Sequence, residues 1–292
     1  MIVSLCTNNE ALFVASVNTV YSLDQSFKPT LFLEYSSTIR NMTFNDNDEL
    51  VVALDNKKFL DLELSKRSTA MISFKKDVIL SDKSGDVYSY NKDSGLKLLL
   101  GHVSIVTHVM IHNNRIYTSD RDRKIRVSHY PNSYNIDYFC LGHLDYITSM
   151  ALIDDCLISA GAENLIYIWN KGDIIDTIEL PHGKIRKMVV VGRVVYLLVE
   201  NKPLLILFDY DSRLVKEIKL NGSPIDGCLF NHEFIVCTNS KNMLQRINAI
   251  THQVLDISTA FTDFMPNLVP NDIIQPSIDY INKASYSLKN EK

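Results

Sequence analysis

The side chains best suited to chemistry fall into three small groups. His102 and His143 each follow a glycine, while His108 and His112 stand four residues apart in an apolar run. Imidazoles titrate near neutral pH and serve as general bases or metal ligands. Asp120-Arg121-Asp122 makes the third group, two carboxylates in the D-x-D spacing that can hold a divalent ion with hard oxygen ligands. Each group has a plainer reading. Arg121, Arg123 and Lys124 neutralise carboxylates that a metal needs free, and His108 and His112 have no third ligand of suitable type nearby, so no metal is assigned to either set. No G-x-S-x-G elbow, G-x-x-x-x-G-K-[ST] loop or G-x-G-x-x-G turn occurs, and ten glycines leave little material for a phosphate cradle. The chain reads as a non-enzyme, with no catalytic, cofactor or metal site of its own.

The elements that must position these residues recur. Gly101-His102 and Gly142-His143 each open an apolar run, a polar turn and an alternating strand, Lys124 to Ser128 in the first copy and Leu165 to Trp169 in the second. The copies are in register at a period of 41 residues. A period of this size, with Gly-His at the opening and Trp near the end, marks four-stranded propeller blades. The second copy resembles a WD-repeat blade, with Asn170 where the dipeptide has Asp. Weaker copies end at Asp24, Glu63, Asn91, Asp209 and Asn248, and with those ending at His129 and Asn170 they make seven. The interval from Glu63 to Asn91 is 28 residues against 38 to 41 elsewhere, which predicts a reduced or missing outer strand in the second blade. The expected fold is therefore all-β, a seven-bladed WD-repeat β-propeller over residues 1–258. The first unit is complete between Ile2 and Tyr35 and the last between Pro224 and Ser258, so no strand is expected to be exchanged at the closure. Residues 259–292 form an extension in which Ile278, Ile281, Ala284 and Leu288 recur at helical spacing after Pro276 and a Ser277 cap, predicting a short C-terminal helix.

Blade architecture also supplies a structural purpose for the histidines. In such a blade the histidine after glycine is expected to bond the carboxylate of the turn between inner strands, with Ser or Thr and Trp completing a buried polar chain. This predicts one chain through His143, Ser159, Glu163 and Trp169, and another through His102, Thr118 and Asp122, with Ser128 in the Trp position.

Composition narrows the function classes. Of 292 residues 46% are hydrophobic and 22% charged, enough to bury a real core, and a net charge of −4 argues against nucleic-acid binding over the whole surface. Five dispersed cysteines without a C-x-x-C pair suit reduced thiols of the cytosol or nucleus. The N-terminus lacks a basic n-region, and the apolar run from Met188 to Val199 carries Arg193 and is too short for a bilayer, so neither secretion nor a membrane is expected. Two basic sets stand out: Arg115, Arg121, Arg123, Lys124 and Arg126, and then Lys184, Arg186, Lys187 and Arg193. Such sets are commonly a solvated rim, or else a docking face for acidic groups or phosphates. Strand alternation places Lys124, Arg126 and Ser128 on one face.

Three runs say more. Asp82-Lys83-Ser84-Gly85-Asp86-Val87-Tyr88-Ser89, then Ser119-Asp120-Arg121-Asp122-Arg123-Lys124-Ile125-Arg126-Val127-Ser128-His129-Tyr130-Pro131, then Phe139-Cys140-Leu141-Gly142-His143 closely resemble the WD-repeat subunit of the eukaryotic tRNA (guanine-N7) methyltransferase, in order and in spacing. The resemblance covers Ser81 to Asn170. It implies a non-catalytic scaffold that forms a heterodimer with a Rossmann-like catalytic subunit. That partner would bind S-adenosylmethionine and form 7-methylguanosine in the tRNA variable loop, with the nucleus as location and the cytoplasm as a second compartment. In that family the basic residue of the I-[RK]-[VI]-S strand pairs with an acidic side chain of the enzyme. Here that position is Arg126, with Lys124 and Arg121 as neighbours in the motif. Lys184, Arg186, Lys187 and Arg193 are the candidates for tRNA contact through the complex. Two departures stand: the residue before the lysine, usually acidic, is Arg123, and no long charged C-terminal extension is present. The alternative expectation is a general WD-repeat adaptor without a tRNA role.

Overall fold

A strand made of one unbroken apolar run needs cover on both of its faces. The run Val194 to Val199 is of this kind, and so is the second strand of nearly every unit. In the computed structural model, residues 2–8, 10–240, 244–248 and 251–257 are described, and they form seven four-stranded antiparallel meanders set around a ring. Blade 1 holds β1 (Ile2–Thr7), β2 (Leu12–Ser16), β3 (Thr19–Leu23) and β4 (Pro29–Glu34). Blade 2 holds β5 (Ile39–Phe44), β6 (Leu50–Leu54), β7 (Lys58–Phe59) and β8 (Leu62–Glu63). Blade 3 holds β9 (Ser68–Phe74), β10 (Asp77–Asp82), β11 (Asp86–Asn91) and β12 (Gly95–Gly101). Blade 4 holds β13 (Val106–His112), β14 (Arg115–Asp120), β15 (Lys124–His129) and β16 (Ile136–Leu141). Blade 5 holds β17 (Ile147–Ile153), β18 (Cys156–Gly161), β19 (Leu165–Asn170) and β20 (Asp173–Glu179). Blade 6 holds β21 (Ile185–Val191), β22 (Val194–Val199), β23 (Leu204–Asp209) and β24 (Val215–Lys219). Blade 7 closes the ring with β25 (Pro224–Phe230), β26 (Glu233–Thr238), β27 (Leu244–Asn248) and β28 (Val254–Asp256).

Each gap between neighbouring blades holds one apolar cluster, and this is where the core sits. Successive residues of β22 show why the sequence has no alternation. Val195, Leu197 and Val199 pack toward blade 5, while Tyr196 and Leu198 pack toward blade 7. Truncating Leu197 or Leu198 to alanine costs about 2–5 kcal/mol, because the rigid sheets on either side cannot collapse into the space.

The second blade is reduced as its short interval predicts. Both outer strands are two residues long, and what reads as one strand from Phe59 to Glu63 is a tight hairpin turning at Leu60, whose φ of 52° is left-handed. The mark at Glu63 is thus the end of a fourth strand, not a third. The closure needs no exchanged strand, since β1 and β25 each belong to a complete sheet. Blades 7 and 1 meet through their own apolar cluster and through Asp226, whose carboxylate accepts from the Leu5 amide at 2.8 Å and from Ser4 Oγ at 3.2 Å. The expected C-terminal helix over Ser277 to Leu288 lies outside the described residues.

Candidate docking surface on the fourth blade

Blade 5 carries a complete buried polar chain. The indole Nε1 of Trp169 donates to Ser159 Oγ at 2.7 Å, and Ser159 Oγ lies 2.6 Å from His143 Nε2. His143 Nδ1 bonds Glu163, whose other oxygen accepts the Leu144 amide at 2.7 Å. Trp169 can only donate and the carboxylate can only accept, so the proton order runs from indole to hydroxyl to Nε2, with Nδ1–H facing Glu163. Every member is satisfied inside the fold. His143 thereby ties the turn between β18 and β19, which carries Glu163, to the start of its blade.

Blade 4 builds the same chain from a different carboxylate. His102 Nε2 lies 2.7 Å from Thr118 Oγ1, but its Nδ1 meets Asp120 Oδ2 at 2.9 Å, not Asp122. Asp122 is exposed. Asp120 is the buried last residue of β14, and its second oxygen also accepts the Lys124 amide at 3.0 Å. The 41-residue register equates Asp122 with Glu163, but a shorter Asp side chain at that place lies further from the imidazole, so the residue two positions earlier takes over. Within the D-x-D spacing it is thus Asp120 that clasps the turn. Among the described residues no three His, Cys, Asp or Glu side chains converge on a metal position.

The larger difference lies where blade 4 has Ser128 in the place of Trp169. In blade 5 the indole reaches across to Gly142, where an added Cβ would stand 3.2 Å from the ring. In blade 4 the guanidinium of Arg126 takes the equivalent route. Its Nε donates to Ser128 Oγ at 2.9 Å, its Nη2 to the Ser133 carbonyl at 2.8 Å, and its Nη1 to the Gly101 carbonyl at 3.4 Å. Ser133 is itself buried in the loop between β15 and β16, which Tyr130 anchors through its hydroxyl, donating to Asp77 at 2.5 Å. All three acceptors are neutral. Burial lowers the Arg126 pKa, with no carboxylate beside it to offset the effect.

Its surroundings complete a surface that the sequence reading missed. Arg126 pairs across the ladder with Phe139, and Lys124 pairs with Leu141, so all four side chains share one face. Phe139 is 41% exposed and Leu141 62%. Leu144 and Val103 lie open in the flanking loops. A signal was present in Phe139-Cys140-Leu141, where the buried Cys140 leaves two large apolar residues on the outward face. Burial pushes the Cys140 thiol up to about 12, so it stays protonated. Lys124 is exposed beside Arg126. Arg121 stands apart from them, with its charge bearing on Tyr146 next to the central channel.

The second basic set does not form one surface. Lys184 and Arg193 lie at opposite ends of β21. Arg193 is tied to Asp211 at 2.6 Å and Asp154 at 2.9 Å and stacks on Tyr210, and the two carboxylates raise its pKa. Lys187 points into the channel and pairs with Asp226; burial works against its charge, and the carboxylate more than offsets that. Lys184 lies over the Tyr146 ring, and Arg186 sits beside Glu200.

Comparison with known proteins agrees with this architecture. Residues 90–256 match the family model described as the tRNA methyltransferase TRM82 WD40 domain. A Dictyostelium discoideum protein, tRNA (guanine-N(7)-)-methyltransferase non-catalytic subunit wdr4, is 29% identical over 206 residues, covering 56% of this chain and 44% of that protein. The Drosophila pseudoobscura pseudoobscura subunit wuho, of the same description, is 34% identical over 146 residues, covering 46% and 37%. The matches thus span less than half the length of these curated relatives. The solved WD40 β-propeller domain of Doa1 superposes with a TM-score of 0.71 at 15% identity, covering 84% of this chain and 91% of that one. At that identity the likeness speaks for the fold alone.

Proposed function

The chain belongs to the TRM82 WD40 domain family, and from that membership we propose that it is a non-catalytic scaffold subunit that docks a catalytic tRNA (guanine-N7) methyltransferase on blade 4. The observation that carries this reading is the state of Arg126. Its guanidinium is half-buried, fixed in direction by three neutral acceptors, framed by Phe139 and Leu141, and without a carboxylate of its own. A partner carboxylate seated there would supply the missing charge in bidentate geometry while the apolar pair is covered. Lys124 adds a second cation on the same face.

In this reading the two chains form a heterodimer, S-adenosylmethionine binds the partner, and tRNA is reached through the complex in the nucleus and also the cytoplasm. The propeller occupies residues 1–258, with 259–292 as an appended extension. The test is to purify this chain and the candidate enzyme separately and assay guanine methylation of tRNA with each alone and with both. Activity that requires both, and that Arg126→Glu abolishes by preventing co-purification, is expected. Wild-type yield of the Arg126→Glu complex, or methylation by this chain alone, overturns the reading; a stable complex with unrelated acidic peptides and no effect on methylation favours a general adaptor.

A further inference from the structure

The free edge of blade 1 is unlike the other outer edges of the ring. β4 is the last strand of its sheet, so the backbone groups along its outer side have no ladder to join. Along it Leu31, Phe32 and Leu33 stand 54%, 45% and 41% exposed. No other outer strand shows three consecutive exposed large apolar side chains among the described residues. Folded proteins keep such edges from pairing at random by placing charges in them or by covering them. Charges interrupt the others: Lys97 in β12, Asp137 in β16, Asp173 and Asp176 in β20, and Lys216 and Glu217 in β24. β4 has no charge before Glu34, its last residue.

Both faces of this edge are apolar. A register shift on β3 sets Leu33 opposite Val20 and Leu31 opposite Tyr21. Val20 packs toward blade 2 and Tyr21 toward blade 7, so the two leucines lie on opposite faces. Phe32 meets the ring of Phe13 with centroids 5.0 Å apart, on the blade 2 side. There the neighbouring blade gives little cover, because its outer strands β7 and β8 are two residues each. Chain that can cover the edge starts on the other side. Ile257, the last described residue, packs with Phe27 against the cluster between blades 7 and 1, and Phe27 stands just before β4. Beyond Ile257 the next apolar residues are Ala260, Phe261, Phe264 and Met265, with no proline until Pro266. Four positions separate Ile257 from Phe261, and four separate Phe27 from Leu31, each spanning at most about 14 Å.

We propose that residues 259–265 add a strand to the free edge of β4, so that the segment leaving blade 7 clasps blade 1. Phe261 and Phe264 are three apart and point to opposite faces of a strand, as Leu31 and Leu33 do, so one covers each face. Thr259 and Thr262 suit such a strand, and Pro266 ends it. The tether decides the occupant. A segment fixed within a few residues of the edge faces it at roughly millimolar effective concentration, ahead of a second copy or a separate protein in dilute solution. The clasp supplies what the ring's closure lacks, since no strand is exchanged between blades 7 and 1. It lies on blade 1, away from the Arg126 surface on blade 4, and does not depend on the heterodimer.

The test is hydrogen exchange read by mass spectrometry on the full 292-residue chain at two protein concentrations. Protection of residues 30–34 and 259–265 that is independent of concentration is expected. The double variant Phe261→Ser with Phe264→Ser, which alters no residue of the seven blades, should speed exchange in both segments about tenfold or more and leave residues 124–129 unchanged. Leu31→Lys with Leu33→Lys should release 259–265 in the same way, and circular dichroism checks its fold; if it fails to fold, the Phe261 and Phe264 variant decides. Rapid exchange of 259–265 in the wild-type chain, or wild-type protection of 30–34 in the phenylalanine variant, overturns the clasp. So does protection of 30–34 that grows with concentration, which assigns the edge to a second copy, or that arises only when the catalytic subunit is added, which assigns it to the partner.

Discussion

Arg126→Met keeps a side chain of similar length while removing the guanidinium, and it isolates the docking claim from the fold. In the free chain the change gives up three hydrogen bonds to Ser128 Oγ, Ser133 O and Gly101 O. The Gly101 carbonyl belongs to an exposed residue that water can reach, so a net loss of about 1 kcal/mol, or a melting temperature lower by about 2–3 °C, is expected. In the complex the missing bond is to a partner carboxylate. Exposed ion pairs contribute about 0.2–1 kcal/mol, and breaking a buried pair from one side costs about 3–5 kcal/mol. Arg126 is half-buried and Phe139 and Leu141 would exclude water around it, so about 2 kcal/mol applies, roughly a thirtyfold rise in Kd. Isothermal titration of the purified partners at two salt concentrations measures it, with Arg193→Met as a control at the far end of β21. A Kd for Arg126→Met within about twofold of wild type, or a larger loss in the Arg193 control, refutes the reasoning.

Three further outcomes follow from the polar chains and the channel. Asp120→Ala should cost about 2–4 kcal/mol in urea unfolding because it strands His102 Nδ1 and the Lys124 amide, whereas Asp122→Ala should stay within about 0.5 kcal/mol of wild type. Trp169→Phe fills most of the indole space but removes the donor to Ser159, so a loss of about 1–3 kcal/mol is expected by the same measurement. Burial and the nearby Lys187 charge push His108 down to about 4 from an ordinary value of 6.5. The unfolded chain therefore binds the proton first as pH falls, and stability that is full above pH 6.5 should decline toward pH 4 by as much as about 3 kcal/mol. His108→Gln should flatten that part of the stability profile.

How much of this was legible depends on the range of the interaction concerned. Blade number, register and the buried chain of His143, Ser159, Glu163 and Trp169 are written in local spacing, because a meander joins its strands by short turns and repeats its unit at a constant period. The reduced second blade was legible for the same reason, though its hairpin at Leu60 depends on a left-handed turn that residue type does not advertise. Register alone points to Asp122 and not Asp120, because equal register is not equal reach when one methylene separates Asp from Glu. The emptiness of Arg126's surroundings, the apolar frame of Phe139 and Leu141, and the bare edge of β4 could not be read from order along the chain. Those features depend on residues from different strands and blades, and which side chains meet there is decided only when the ring closes. Sequence alone determined a seven-unit all-strand ring and a cationic strand within it. The tertiary structure decided which of its cations are already paired inside the fold and which still lack a carboxylate, because neutralisation depends on distance through space.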